Sequence, residues 1–163
     1  MFEQTQEQSL TDVLTGLPNR RYLGSHLAQE IARVRRHGGQ LSILVLDMDR
    51  FKQINDEFGH QAGDGALREV SQVLRASLRV YDVCARFAGD AFLLVLGDCD
   101  PDQAERRRAD LQRAIAAIWI EPVPGRIVSL SVSVGAATFP DDADTVEGVV
   151  SVADRRMYRD KGE

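Results

Sequence analysis

Residues 83–96, Val-Cys-Ala-Arg-Phe-Ala-Gly-Asp-Ala-Phe-Leu-Leu-Val-Leu, decide how the rest of the chain is read. Val83, Ala85 and Phe87 alternate with Cys84 and Arg86, the period of a strand, and Ala91 to Leu96 is the unbroken apolar run of a strand covered on both faces. Ala88-Gly89-Asp90 between them is a tight turn, so the stretch is a β-hairpin. Gly89 can take positive φ, and having no side chain it lets a ligand approach its backbone closely. An apolar hairpin that ends in the Asp90 carboxylate suggests a polar site at the rim of a sheet. Taken by itself the hairpin favours the plainer reading, an ordinary turn aspartate.

The 163 residues are about one domain's worth, and 44% hydrophobic composition supports a real core. A net charge of −5 with both signs interspersed provides no basic field for a nucleic-acid polymer, so an anionic ligand must be held locally. No apolar run approaches membrane-spanning length and no signal-peptide pattern is present, so this segment is expected to make no membrane contact. Cys84 and Cys99 lack metal-ligand spacing and read as reduced thiols, which points to the cytoplasm.

Working outward, residues 1–11 include the polar, Gln/Glu-rich stretch Phe2 to Leu10 and read as the end of an upstream signalling helix or linker, with the domain itself at 12–163. Asn19 is placed to cap a helix running to about His37, with Leu23, Leu27, Ile31 and Val34 on one face and Gly38-Gly39 as its stop. Leu41 to Leu46 is a buried strand ending in Asp47-Met-Asp49. Carboxylates at the end of a buried strand must be solvated, hydrogen-bonded or paired with a cation, and a divalent metal is the sharpest option. Asp49 reads as the cap of a helical turn beginning at Phe51, whereas Asp47 precedes any helix and carries the functional reading.

Gly59 to Asp64 interrupts the pattern before a second helix, with Asp64 in its first turn and His60 in the loop. Asp100-Pro-Asp-Gln103 is a helix start, and that helix is expected to reach Trp119. Val128, Leu130, Val132 and Val134, alternating with serines, form one half-buried strand ending at Gly135, and Val149, Val152, Ala153 and Met157 line a last helix. The order helix, strand, two helices, hairpin, helix, strand, helix is an α/β sheet with an antiparallel element.

Several ordered stretches together resemble the diguanylate cyclase (GGDEF) family from Asp12 to Lys161: Asp12-Val-Leu-Thr-Gly-Leu-Pro-Asn-Arg-Arg21, Leu46-Asp-Met-Asp-Arg-Phe-Lys-Gln-Ile-Asn-Asp56, Gly59-His-Gln-Ala-Gly-Asp64, Arg79-Val-Tyr-Asp82, Arg86-Phe-Ala-Gly-Asp-Ala-Phe92, Ser133-Val-Gly135 and Ala153-Asp-Arg-Arg-Met-Tyr158. The resemblance implies a palm-like fold similar to class III nucleotidyl cyclases, a mixed sheet with a central β-hairpin flanked by helices. It further implies condensation of two GTP into cyclic di-GMP with release of two pyrophosphates, in an antiparallel homodimer downstream of a sensor domain that these residues do not include. By the same resemblance Asp47, the backbone carbonyl of Met48 and Asp90 would hold Mg²⁺ or Mn²⁺, and Asn55 and Asp64 would recognise guanine. Lys52 and Lys161 would contact phosphates, Gly89 would lie against the nucleotide, and Arg79 and Asp82 would form an inhibitory product site. That site would take a second arginine from Arg106, Arg107, Arg108 or Arg113.

The signature loop departs from the family's Gly-Gly-Asp/Glu-Glu-Phe, reading Ala88-Gly89-Asp90-Ala91-Phe92. Ala88 adds one methyl; Ala91 replaces a glutamate with a side chain that can neither bind a cation nor accept a proton. The expected activity is therefore impaired or lost. The alternative is a non-catalytic regulatory module that binds GTP at the old active site or cyclic di-GMP at Arg79 and Asp82. Either way the expected setting is the cytoplasm, as the cytoplasmic part of a larger protein, whether soluble or membrane-bound.

Overall fold

The computed structural model describes residues 9–162. Most of the helix expected at Phe2 to Leu10 lies outside them, and Ser9 and Leu10 are not helical. The elements are α1 Arg20–His37, β1 Leu41–Met48, α2 Phe51–Phe58, α3 His60–Ala76, β2 Val83–Ala88, β3 Ala91–Gly97, α4 Pro101–Ala116, β4 Trp119–Val123, β5 Arg126–Ser129, β6 Val132–Phe139 and α5 Val146–Asp160. The main sheet has the order β2-β3-β1-β6, every neighbouring pair antiparallel, and β4 and β5 form a separate two-stranded ribbon.

Local signals set the helix ends. The Asn19 side chain accepts from the Tyr22 N–H at 3.1 Å, and Gly38 and Gly39 end α1 at φ 83° and 98°, a conformation that favours glycine. Asp100 and Gln103 form a complete capping box at α4, and Thr145 caps α5.

Each face of the sheet is covered by helices. On one side Leu23, Leu27, Ile31 and Val34 of α1 and Val149, Ala153 and Met157 of α5 pack on Ile43, Val45, Leu93 and Val95. On the other, Ile54 of α2, Leu67, Val70 and Leu74 of α3 and Leu111 and Ile115 of α4 pack on Leu44, Leu46, Phe92 and Leu94. Full burial of a side chain such as Phe92 is worth about 2–3 kcal/mol. Gly135 lets α5 lie directly on β6: a Cβ there would fall 2.1 Å from the Ala153 carbonyl oxygen and 2.2 Å from the Met157 nitrogen. Cys84 and Cys99 are buried free thiols, and burial pushes the Cys84 thiol up to about 12.

Several boundaries differ from the sequence reading. Helix α4 stops at Ala116 and Trp119 opens β4. The single strand expected up to Gly135 is two, β5 and β6, because the Leu130 N–H turns away to the Ile118 carbonyl; β6 then runs through Gly135 to Phe139. Gly59, at φ 93°, joins α2 to α3 without a loop, so His60 is helical and Asp64 sits a turn deeper than expected. Gly89 is not at positive φ; the bend is aided by a register shift between Arg86 and Ala88. Arg50, in the left-handed region at φ 57°, occupies the cap position of α2 that Asp49 was expected to fill.

Candidate nucleotide and metal site

Asp47 stands near the end of β1, paired with Ala91 on β3 and with Ser133 on β6. The Met48 N–H donates to the Asp90 carbonyl at 3.1 Å, which ties the hairpin turn to the end of β1 and brings Asp90 beside Asp47. Burial first, and then the neighbouring Asp90 charge, push the Asp47 carboxyl up to about 6. Its Oδ1 is buried without a hydrogen-bond partner, and its Oδ2 lies 3.5 Å from the Lys161 ammonium just beyond α5. Two carboxylates sharing one rim, one carrying an unsatisfied buried oxygen, form a donor set suited to a hard divalent cation. Among the described residues no group of three or more His, Cys, Asp or Glu side chains gathers, so such a cation would draw its remaining ligands from backbone, nucleotide or water.

Asp49 also belongs to this edge. Its Oδ2 accepts from Ser131 Oγ at 2.7 Å, and its Oδ1 from Ser133 Oγ at 2.6 Å and from Lys161 Nζ at 3.4 Å. Burial works to raise this carboxyl, but the two hydroxyls and Lys161 outweigh it and hold Asp49 below the usual carboxylate value. Of the alternating serines only Ser129 is exposed; Ser131 and Ser133 turn to Asp49, and Ser133 is buried.

A cleft of about 560 Å³ opens beside the pair, lined among others by Asp47, Ala91, Phe87, Asp154 and Tyr158, so position 91 has room for a longer side chain. Gly89 is open, with nothing within 4 Å of where a Cβ would be, and its carbonyl accepts from Arg86 Nε at 2.9 Å. Arg86 in turn grips Asp12, a contact the sequence reading missed although Asp12 and Arg86 both stand in the motifs quoted.

Asn55 and Asp64 are placed by the α2–α3 junction. Asn55 packs against Gly63, where a Cβ would fall 1.9 Å from its Oδ1, and that Oδ1 is buried without a partner. Lys52 extends into solvent and pairs with Asp56 at 3.0 Å, apart from the contacts joining Asp47, Asp90 and Lys161.

After α3, the Asp82 carboxylate accepts from the Arg79 backbone N–H and from Arg107 Nη2, both at 2.9 Å, and its side chain is 2% exposed. The side-chain partner of Asp82 is thus Arg107, the one of the four candidate arginines that reaches this turn. The Arg79 side chain instead lines an open cleft of about 490 Å³ together with Arg107 and Asp110.

An antiparallel sheet covered on both faces, with an acidic pair on the adjoining ends of its central strands, defines a palm-like α/β domain. Residues 9–163 match the family "Diguanylate cyclase, GGDEF domain", and the chain belongs to that family. It is 41% identical over 160 residues to the diguanylate cyclase DgcP of Pseudomonas aeruginosa, covering 98% of this chain and 24% of DgcP. The chain thus spans about a quarter of that relative's length. The GGDEF domain of TpbB (YfiN) from the same species superposes with a TM-score of 0.87 at 35% identity, over 93% of this chain and 88% of that one. The GGDEF domain of DgcB from Caulobacter crescentus, solved in complex with c-di-GMP, gives a TM-score of 0.88 at 25% identity, over 96% and 92% of the two chains. No helix among the described residues is long and apolar enough to cross a membrane.

Proposed function

We propose that this domain binds GTP with a divalent cation at the Asp47–Asp90 edge and descends from an enzyme that joins two GTP into cyclic di-GMP, its own turnover being impaired or lost through Ala91. The observation that carries the reading is the buried, unpartnered Oδ1 of Asp47 beside Asp90. Asp47, Asp90 and the Met48 carbonyl would hold Mg²⁺ or Mn²⁺. Such a cation supplies positive charge that makes a 3′-hydroxyl more acidic and screens the charge building on the α-phosphate and on the departing pyrophosphate.

The protein's own share is recognition and placement. Asn55 and Asp64 offer an amide and a carboxylate to the guanine edge, Lys161 and Lys52 offer ammonium groups to the triphosphate, and the open backbone at Gly89 admits the nucleotide. In each half of the reaction the 3′-oxygen of one GTP bonds to the α-phosphorus of the other and pyrophosphate leaves, so two apposed copies of the domain are required. This assigns a homodimer to the active form, and a cytoplasmic position where GTP is available, within a longer protein carrying an upstream sensor.

A second reading has its own observation. Arg79 and Arg107 line one cleft beside the turn that Asp82 stabilises, which suits cyclic di-GMP, either as inhibitor or as the signal read by a non-catalytic module.

The deciding measurement is product formation from GTP with Mn²⁺, followed chromatographically. The parent should give little cyclic di-GMP, and Ala91→Glu should raise the rate by about a hundredfold or more. Robust turnover by the parent would reject the impairment, and absence of GTP binding with Mn²⁺ present would reject the nucleotide site.

A further inference from the structure

Asp49 differs from its neighbour Asp47 in one respect that matters for chemistry. Both of its oxygens are committed, to Ser131 Oγ and Ser133 Oγ, and its N–H donates to the Ser131 carbonyl at 2.9 Å, so β6 and the residue just before it hold this carboxylate in place. Asp47 keeps a buried oxygen free for a newcomer. Between them lies one ammonium: Lys161 Nζ is 3.4 Å from Asp49 Oδ1 and 3.5 Å from Asp47 Oδ2, and its side chain is 21% exposed. A divalent cation arriving at Asp47 repels that ammonium at short range, while the fixed Asp49 still attracts it. Lys161 is the C-cap of α5, and Gly135 seats α5 closely on β6, so its backbone has little freedom to carry the ammonium away.

We propose that Asp49 is a positioning residue. Clamped by Ser131 and Ser133, it keeps Lys161 at the acidic edge as a resting counter-ion, and it retains Lys161 within reach of the triphosphate once a cation takes the place beside Asp47. The inference rests on the nucleotide reading given above and adds to it a role for the Asp49, Ser131 and Ser133 set.

The test is a cycle of GTP titrations by calorimetry in excess Mn²⁺ on the parent, Asp49→Asn, Lys161→Gln and the double variant, each first checked by thermal melting. Asparagine keeps the shape and can still bond both serines, but it carries no charge for Lys161. Asp49→Asn should weaken GTP binding by about tenfold where Lys161 is present and by less than about twofold where residue 161 is Gln. Ser133→Ala, run through the same cycle, replaces Asp49→Asn if that variant does not fold. Equal losses in both backgrounds, or no loss in either, would overturn the inference while leaving the nucleotide site standing. A parent that binds no GTP would overturn the site and the inference together.

Discussion

Arg86 and Asp12, 74 residues apart, are bound side chain to side chain: Arg86 Nη1 lies 3.2 Å from both carboxylate oxygens of Asp12. Arg86 Nε simultaneously donates to the Gly89 carbonyl at 2.9 Å, so one guanidinium fastens the turn that leads into α1 to the turn that carries Asp90. Each side chain of the pair is 19% exposed. Burial acts to raise the Asp12 carboxyl, yet the Thr15 and Arg86 hydrogen bonds prevail and lower it.

Arg86→Ala should therefore cost about 2 kcal/mol of stability, since it strips a partly buried carboxylate of its cation and the Gly89 carbonyl of its guanidinium donor, leaving Asp12 only its Thr15 hydrogen bonds. Arg86→Lys should recover only part, because an ammonium cannot span Asp12 and Gly89 as a planar fork does. Urea unfolding of the three proteins measures this, and a midpoint for Arg86→Ala equal to the parent's would sink it.

Asp47 makes stability fall as pH rises across a defined window. Its folded pKa of about 6 lies above the ordinary 3.8, so the folded chain keeps a proton that the unfolded chain has released. The benefit is complete below the unfolded value and is lost as pH rises through about 6; with the group partly solvated it amounts to on the order of 1 kcal/mol. Asp12, Asp49 and Asp142, all lowered, act in the opposite sense, stabilising at higher pH and losing that effect as pH falls below their ordinary value. The stability difference between parent and Asp47→Asn, measured at pH 4.5 and 7.5, isolates the first effect. The parent should lose ground to the variant at the higher pH, and Mn²⁺ should restore it; an unchanged difference would count against the raised carboxyl.

Gly63→Ala should separate nucleotide recognition from folding. The added methyl replaces a helical glycine, a change worth up to about 1 kcal/mol in the fold's favour, but it would lie 1.9 Å from Asn55 Oδ1 and must drive that amide out of place. We expect a melting temperature no lower than the parent's by more than a degree or two and a GTP affinity about tenfold weaker. Unchanged GTP binding would remove Asn55 from the base site.

Arg79 and Arg107 should behave differently although they border one cleft. Arg107→Ala strips a carboxylate whose side chain is 2% exposed of its cation, and should destabilise the fold by about 3 kcal/mol. Arg79→Ala removes an exposed side chain and should leave melting unchanged while abolishing cyclic di-GMP binding in calorimetry. Retained binding in Arg79→Ala would exclude this cleft as the product site.

The hairpin and the capped helices are legible in the sequence because each depends on a local pattern, alternation or a capping residue, whereas the meeting of Asp47 with Asp90 is implied only by the family resemblance of the motifs that carry them. What sequence reading misses is set at long range. Whether Ser131 and Ser133 face water or Asp49 depends on where β6 lies relative to β1, and alternation looks the same in both cases. The split at Leu130 follows from a hydrogen bond to Ile118 that no neighbouring residue announces. Arg107 could not be told from three nearby arginines, since only the packing of α4 beside the turn at residues 79–82 brings it to Asp82.

Position 91 occupies the last rung of the β1–β3 ladder, facing an open cleft, while the neighbouring Phe92 faces the opposite side of the sheet and is wholly buried. Under the function proposed above, the side chain on which turnover depends thus stands apart from the packing. A carboxylate at this rung can therefore be lost or regained without endangering the scaffold, and under the proposed function that would let selection on signalling act on synthesis separately from nucleotide binding.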